Sequence, residues 1–417
     1  MFSRWASDKW RRDFSRPFVQ IVFGARQTGK STLIRSLLPA DATVIDLSSP
    51  KERGLYLGEP DRLITLCRSL PSKGGAKWVF VDEAQSVPSI FDAVQHLYDG
   101  DKKRWRFVLC GSSARKLRQT GANLLPGRSF LHRLFPLTRV ERPAPTPPIE
   151  FDAPDLLPLP MPKDLTRSHT ALFPETDLME RLAFGELPGV VTIPKTQRPQ
   201  ILEAYTQLHL EEEMRREAFV KDWPAFVRFL RLAATESGQM VNYNRISGDV
   251  GISVPTVKSH YQLLEDMFLG FRLPAFSGSA RKNLLSTDRF LFFDLGVRHA
   301  AAGLTAGLDT VRANPGPIFE QWVGIELWKR LQYLGTGSLH YLRTKDGAEV
   351  DFIVAHGGRL APIEVKWTER PTSGDARHLL TFLREHPQKA KHAYIICRCD
   401  RPLRLHDQVT ALPWFCL

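Results

Sequence analysis

Cysteine is scarce in this chain. Five occur in 417 residues, at 67, 110, 397, 399 and 416, an odd number with no repeated spacing. That excludes a disulfide framework, and Cys397-Arg398-Cys399 has neither the spacer nor the second pair of a zinc knuckle. Long apolar runs are also missing, since none approaches the ~18 residues that a membrane span requires. The first stretch, Met1 to Arg16, is basic and aromatic but lacks the apolar centre of a signal peptide. These absences predict a cytoplasmic protein with reduced thiols and no membrane partner. Acidic residues are the minority, 45 Asp and Glu against 57 Lys and Arg, for a net charge of +12. That balance favours an anionic partner, with nucleic acid ahead of membrane. The rest of the composition, 43% hydrophobic and 24% charged, is that of a globular chain long enough for two or three domains.

The most informative stretch is Gly24-Ala25-Arg26-Gln27-Thr28-Gly29-Lys30-Ser31, followed by Thr32. It fills every fixed place of the phosphate-loop pattern G-x-x-x-x-G-K-[ST]. Phe18–Phe23 before it reads as a buried strand, and Leu33, Ile34, Leu37 and Leu38 after it recur at helical spacing. Strand, glycine loop and helix form the context that such a loop needs. The glycines let successive N–H groups turn toward an anion, and the helix adds its positive end. Lys30 places a charge on the outer phosphates, and the Ser31 hydroxyl is a hard ligand for Mg²⁺.

Further candidate strands follow at Thr43–Leu47, Trp78–Val81, Phe107–Cys110 and Phe130–Phe135, alternating with helical stretches. This alternation predicts an α/β domain with a mostly parallel sheet. The third strand ends in Asp82-Glu83-Ala84-Gln85, a Walker B pattern. Asp82 would hold the Mg²⁺ shell and Glu83 would polarise the attacking water. The fourth ends in Gly111-Ser112-Ser113, where Ser112 reads as a γ-phosphate sensor ahead of a plain strand-end turn. Arg128, in Leu125-Pro126-Gly127-Arg128, has two readings: an arginine finger for a neighbour's γ-phosphate, or an ion-paired surface residue.

Gly24–Ser31, Val79–Gln85, Gly111-Ser112-Ser113 and Gly127-Arg128 together resemble the AAA+ ATPase module of a large prokaryotic family. Members of that family pair the ATPase with a C-terminal domain of unknown function. The resemblance extends over nearly the whole chain. It implies ATP and Mg²⁺ as ligands and a homo-oligomer as the working form.

From about 141 to 176 prolines accumulate (143, 145, 147, 148, 154, 158, 160 and 162), predicting an extended connector. Residues 177 to 240 carry helical periodicity. From 241 to 300 the pattern predicts a winged helix-turn-helix, with helices Asn242–Val250 and Val254–Phe268 and wing strands Gly270–Phe276 and Phe290–Phe293. Thr256, Lys258, Ser259 and His260 are candidate DNA contacts, and Arg281 and Lys282 fall in the wing loop. Such a unit serves equally well as interdomain packing.

A third constellation lies between 315 and 400. Asp351 sits on one predicted strand, Glu364-Val365-Lys366 on the next, and Glu320 near the start of a helix. A strand's two-residue period puts Glu364 and Lys366 on one face. Asp, then Glu-x-Lys, resembles the metal site of PD-(D/E)xK nucleases. The resemblance implies Glu320, Asp351 and Glu364 as ligands of a second Mg²⁺ or Mn²⁺, with Lys366 activating water. A plain ion pair explains Glu-x-Lys as simply.

The expected architecture is therefore α/β throughout: a P-loop AAA+ domain at 1–140, a proline-rich connector at 141–176, a helical and winged-helix part at 177–300, and a restriction-endonuclease-like domain at 301–417. The expected function is Mg²⁺-dependent ATP hydrolysis acting on DNA. The alternative is a nucleotide-controlled scaffold that binds nucleic acid or protein without cleaving it.

Overall fold

The computed structural model describes residues 3–71, 75–112, 125–142, 159, 177–210, 214–215, 220, 222–277, 287–344 and 349–417. They form two compact units: residues 3–135 with 266–269, and residues 136–265 with 270–417. Ser113, most of the proline-dense connector, Arg281 and Lys282 lie outside the described residues.

In the first unit β1 (Val19–Phe23), β2 (Thr43–Asp46), β3 (Lys77–Asp82), β4 (Trp105–Gly111) and β5 (Ser129–Arg133) build one sheet in the order β2-β3-β4-β1-β5. Every neighbouring pair is parallel. All five side chains of β1 are buried, as a sheet covered on both faces requires. Val79, Val81, Phe107 and Leu109 join Val19, Ile21 and Phe23 with Ile90, Phe91 and Val94 of the Ser89–Gly100 helix in a single core. Parallel strands bring all their carboxyl ends to one edge. β4 therefore lies between the strand that leads into the phosphate loop and the strand that ends in Asp82.

The second unit holds a two-stranded sheet, β6 (Gly270–Leu273) antiparallel to β7 (Arg289–Phe292), and a six-stranded sheet. The larger sheet runs β12-β13-β11-β10-β9-β8, from β8 (Ser338–Arg343), β9 (Glu349–His356), β10 (Arg359–Val365), β11 (Ala393–Cys397), β12 (Leu403–His406) and β13 (Val409–Pro413). Its β8-β9-β10 meander is antiparallel. The Arg377–Glu385 helix then returns the chain so that β11 pairs parallel to β10. The Pro315–Leu334 helix precedes β8.

By compactness the first unit ends at residue 135, and the stretches 177–300 and 301–417 share one unit. Buried charge explains the merger. Glu186 pairs with Arg142 at 3.1 Å and Arg181 at 2.8 Å. Glu326 pairs with Lys329 at 3.3 Å and Arg330 at 3.1 Å and accepts the Arg139 backbone N–H at 3.1 Å. Lys329 also donates to the Leu137 carbonyl at 2.6 Å. All of these charged side chains are buried. A buried ion stripped of its partner is costly, so residues 137–142, Glu186 and the Pro315–Leu334 helix must fold together.

Candidate functional site

The loop after β1 is shaped by its glycines. Gly24 has φ +156°, and a Cβ there would stand 2.2 Å from the Leu134 carbonyl oxygen. Gly29, at φ +88°, caps the Lys30–Leu37 helix in the left-handed region. The loop's carbonyls are tied by side chains. Lys30 Nζ donates to Gly24 O and Ala25 O at 2.8 Å each, and Thr28 Oγ1 donates to Ala25 O at 2.9 Å. Arg4, buried at 4% exposure, donates to Thr28 O at 2.7 Å and to Phe135 O at 2.6 Å. A turn whose carbonyls are engaged in this way presents its N–H groups to an anion. Ser31 is half-buried and Thr32 exposed in the first turn of the helix, with Ala25 and Thr28 buried.

Asp82 ends β3 and is buried; the Glu83 N–H donates to Asp82 Oδ1 at 3.1 Å. Cys110, next to last in β4, registers the convergence of the site. Burial holds its thiol well above the usual range, and the Asp82 and Glu83 carboxylates act on it in the same direction while Lys30 opposes them. Lys30 begins the helix after β1 and Asp82 ends β3, two strands that flank β4 with their carboxyl ends at one edge of the sheet. Ser112 follows directly on β4 at 2% exposure.

Gln85 links these groups. Its Nε2 donates to Glu83 Oε2 at 2.6 Å and to Ser112 Oγ at 3.1 Å. Its Oε1 is buried without a hydrogen-bond partner, and a Cβ on Gly111 would come within 2.4 Å of that oxygen. Glu83 itself sits at φ +55°, an uncommon conformation for a non-glycine residue. The bare backbone of Gly111 thus makes room for the amide that holds the glutamate.

Arg128 is placed elsewhere. It precedes β5, its carbonyl accepts from Val19 at the start of β1, and its guanidinium bonds Asp99 at 2.7 Å. It therefore stands at the opposite end of its own sheet from the phosphate loop, ion-paired to Asp99. Arg133 closes β5 opposite Phe23 and is exposed at the phosphate-loop end.

A second polar cluster forms in the second unit. Asp351 on β9 and Glu364 on β10 lie one step beyond the paired Phe352 and Ile363. The Val365 N–H donates to Asp351 Oδ2 at 2.8 Å, and Lys366 Nζ to Glu364 Oε1 at 2.8 Å. Burial and the Asp351 charge raise the Glu320 carboxyl to about 7, and burial with Glu364 raises Asp351 to about 7. Burial also raises Glu364, whose Oε2 has no partner. The Lys366 ammonium is opposed by burial but carried above its ordinary range by Glu364. The four residues thus share one neighbourhood. Among the described residues, however, no three His, Cys, Asp or Glu side chains are arranged to hold a metal ion. Arg289, at the start of β7, stands beside them. It bonds Glu320 at 2.8 Å and also bonds Glu349, drawing Glu320 to itself.

Residues 16–142 match the family model described as "AAA domain". The N-terminal segment is thus similar to AAA domains. Residues 175–307 and 315–417 match two models described only as domains of unknown function, DUF8612 and DUF4143. The chain is 25% identical over 410 residues to the Mycobacterium tuberculosis uncharacterized protein Rv2008c, covering 98% of this chain and 82% of that protein. A Haemophilus influenzae uncharacterized protein is 23% identical over 379 residues, covering 87% of this chain and 86% of that one. The crystal structure of protein VC1899 from Vibrio cholerae is 12% identical and covers 94% of each chain, but at a TM-score of 0.19 it carries no weight. No helix among the described residues is long and apolar enough to cross a membrane.

Beyond the AAA domain, the helices Trp223–Thr235, Tyr243–Val250 and Val254–Asp266 precede the β6–β7 hairpin. Asn242 caps the second helix by accepting from Arg245 N at 3.0 Å, and Gly251 at φ +78° makes the turn. Lys258 and Ser259 are exposed and Thr256 is half-buried. His260 departs from expectation. It shares the buried face of Val257, Tyr261 and Leu264, with its ring 4.9 Å from Phe226, so it packs the core and cannot reach a groove.

Proposed function

We propose that the chain is a Mg²⁺-dependent ATP-binding and ATP-hydrolysing protein that acts on DNA through its middle and C-terminal parts. The observation that carries this reading is the glycine loop after β1, closed by Lys30 on its own carbonyls, set at the same sheet edge as the Asp82 that ends β3. In the mechanism, Lys30 leaves the loop carbonyls of Gly24 and Ala25 for the outer phosphates of ATP. The loop N–H groups and the N-terminus of the Lys30–Leu37 helix share that charge. Two hard oxygens, the Ser31 hydroxyl and the Asp82 carboxylate, suit Mg²⁺, which when bound neutralises charge developing between the β- and γ-phosphates. Glu83 accepts a proton from the attacking water, and Gln85 holds its carboxylate toward Ser112, where the γ-phosphate is sensed.

Three helices and a hairpin, with Lys258 and Ser259 exposed on the third helix, support a winged-helix contact with DNA phosphates. The helix-β8-β9-β10-helix-β11 order, with Asp351 beside Glu364-x-Lys366, supports a restriction-endonuclease-like domain. Its carboxylates would take Mg²⁺ or Mn²⁺ as ligands. Steady-state ATP hydrolysis tests the first claim: Lys30→Ala and Glu83→Gln should each abolish turnover, with Glu83→Gln still binding ATP. Turnover that survives both substitutions refutes it. Cleavage of single- or double-stranded DNA with Mn²⁺, lost in Glu364→Ala, tests the C-terminal claim.

The engagement of Glu320 by Arg289 favours one alternative for that domain, a platform that binds without cleaving. DNA binding that persists with no cleavage under any divalent cation would establish it.

A further inference from the structure

Four carboxylates of the second unit crowd together: Glu320 on its helix, Glu349 and Asp351 on β9, and Glu364 on β10. Each of the three candidate ligands feels another carboxylate as a repelling neighbour. Such a cluster demands a counter-charge, and the chain supplies two. Lys366 takes Glu364 from one side. Arg289, 7% exposed along its side chain, takes Glu320 with one nitrogen of its fork and Glu349 with the other. The ring of Tyr341 lies 4.5 Å from the guanidinium carbon, and a backbone bridge to Met240 fixes the residue at the start of β7. Glu364 Oε2, an anionic acceptor, is meanwhile left buried without a partner.

From this arrangement we propose that Arg289 is a resident counter-cation that closes the carboxylate site to divalent metal. The proposal rests on the metal reading of Glu320, Asp351 and Glu364 given above. A planar fork satisfying two carboxylates at once is the contact that arginine makes best, and it competes directly with a metal for Glu320. The same residue belongs to the hairpin that follows the three middle helices. The wing and the carboxylate site are thus joined through one side chain. A rotamer change at Arg289 frees Glu320 toward Asp351 and Glu364, and the orphaned Glu364 oxygen then has a cation to meet. In this resting form the chain holds its nuclease-like site shut.

Binding of Mn²⁺ alone to the nucleotide-free full chain tests this, with free Mn²⁺ read by electron paramagnetic resonance in mildly alkaline buffer. Arg289→Met should tighten binding by at least about tenfold over the wild-type chain, because a full positive charge leaves the ligand shell. Adding Glu364→Gln to Arg289→Met should remove the gain. If Arg289→Met binds no more tightly while Glu364→Gln still weakens the wild-type chain, the closing role of Arg289 is refuted and the metal reading survives. If Glu364→Gln changes nothing in either background, the metal reading falls and the proposal with it. Should Arg289→Met not fold, Arg289→Gln replaces it, keeping a polar side chain without the positive charge. Tightening is again expected, and unchanged or weaker binding overturns the proposal.

Discussion

Replacing Gln85 by methionine should separate turnover from stability. The amide donates to the Glu83 carboxylate at 2.6 Å and to the Ser112 hydroxyl at 3.1 Å, while its own oxygen is buried and unpaired. A hydrogen bond to a charged group contributes about 1.5–3 kcal/mol, and each 1.36 kcal/mol lost from the transition state costs a factor of ten. If that bond aims Glu83 at the attacking water, kcat should fall by about 10- to 150-fold. Methionine has a similar length and no polar atom that needs a partner. It therefore removes the orphaned oxygen, relieving about 1–3 kcal/mol that offsets much of the two lost hydrogen bonds. Tm should move by no more than about 5 °C. KM for ATP should hold, because Gln85 touches neither the phosphate loop nor Lys30. The assay is steady-state hydrolysis beside thermal unfolding of the same preparation. An unchanged or faster kcat in a folded protein refutes the positioning role, and a rise in KM alone relocates Gln85 to ATP binding.

Other expectations follow from particular contacts. Gly24→Ala sets a Cβ against the Leu134 carbonyl oxygen, so the loop must shift; ATP affinity measured by titration calorimetry should drop at least about tenfold. Arg4→Met removes the two donors that hold Thr28 and Phe135, and should cost roughly 3 kcal/mol in the unfolding of the first unit by denaturant. Burial lowers His132 and His299 to about 4, so both are neutral in the fold. As pH falls from about 6.5 to 4 the unfolded chain gains protons that the native one refuses, and stability drops by up to roughly 3 kcal/mol per histidine. His299→Gln should flatten that acid limb in Tm measured against pH. If the exposed face of the Val254–Asp266 helix meets phosphates, Lys258→Ala should lower the salt slope of DNA binding by about one, and an unchanged slope refutes that contact.

What could be read in advance divides along physical lines. The strands of the AAA domain and their shared edge were legible because a buried parallel strand is a continuous apolar run, and the phosphate loop has a fixed spacing. Gln85 stands inside the Walker B pattern, yet its role depends on where β4 passes, which no local pattern records. Arg4 was hidden for a related reason: within a basic first stretch, one buried arginine looks like its exposed neighbours. The Arg128 partner, Asp99, stands 29 residues upstream on another element, where no local spacing signals it. His260 was misjudged because a polar residue near the start of a helix suggests contact with solvent, whereas the helical period turns this one inward. The C-terminal carboxylates stand out through the resemblance of Asp351 and Glu364-x-Lys366 to a nuclease pattern, but the arginine that pairs with Glu320, Arg289, lies 31 residues before it on a different element. Sequence spacing cannot signal an ion pair between elements.

The Pro315–Leu334 helix opens the last matched segment, and its inner face carries Glu326, Lys329 and Arg330, all at 1% exposure. Their partners include residues 137 and 139, far upstream of where that match begins. A fragment cut at 315 would therefore keep its internal ion pairs but leave the buried Glu326 carboxylate and Lys329 ammonium each short of a backbone partner. Recombination that swapped this segment into another host would have to bring residues 137–139 along. The borders by which sequences are grouped need not be borders at which a polypeptide can be divided.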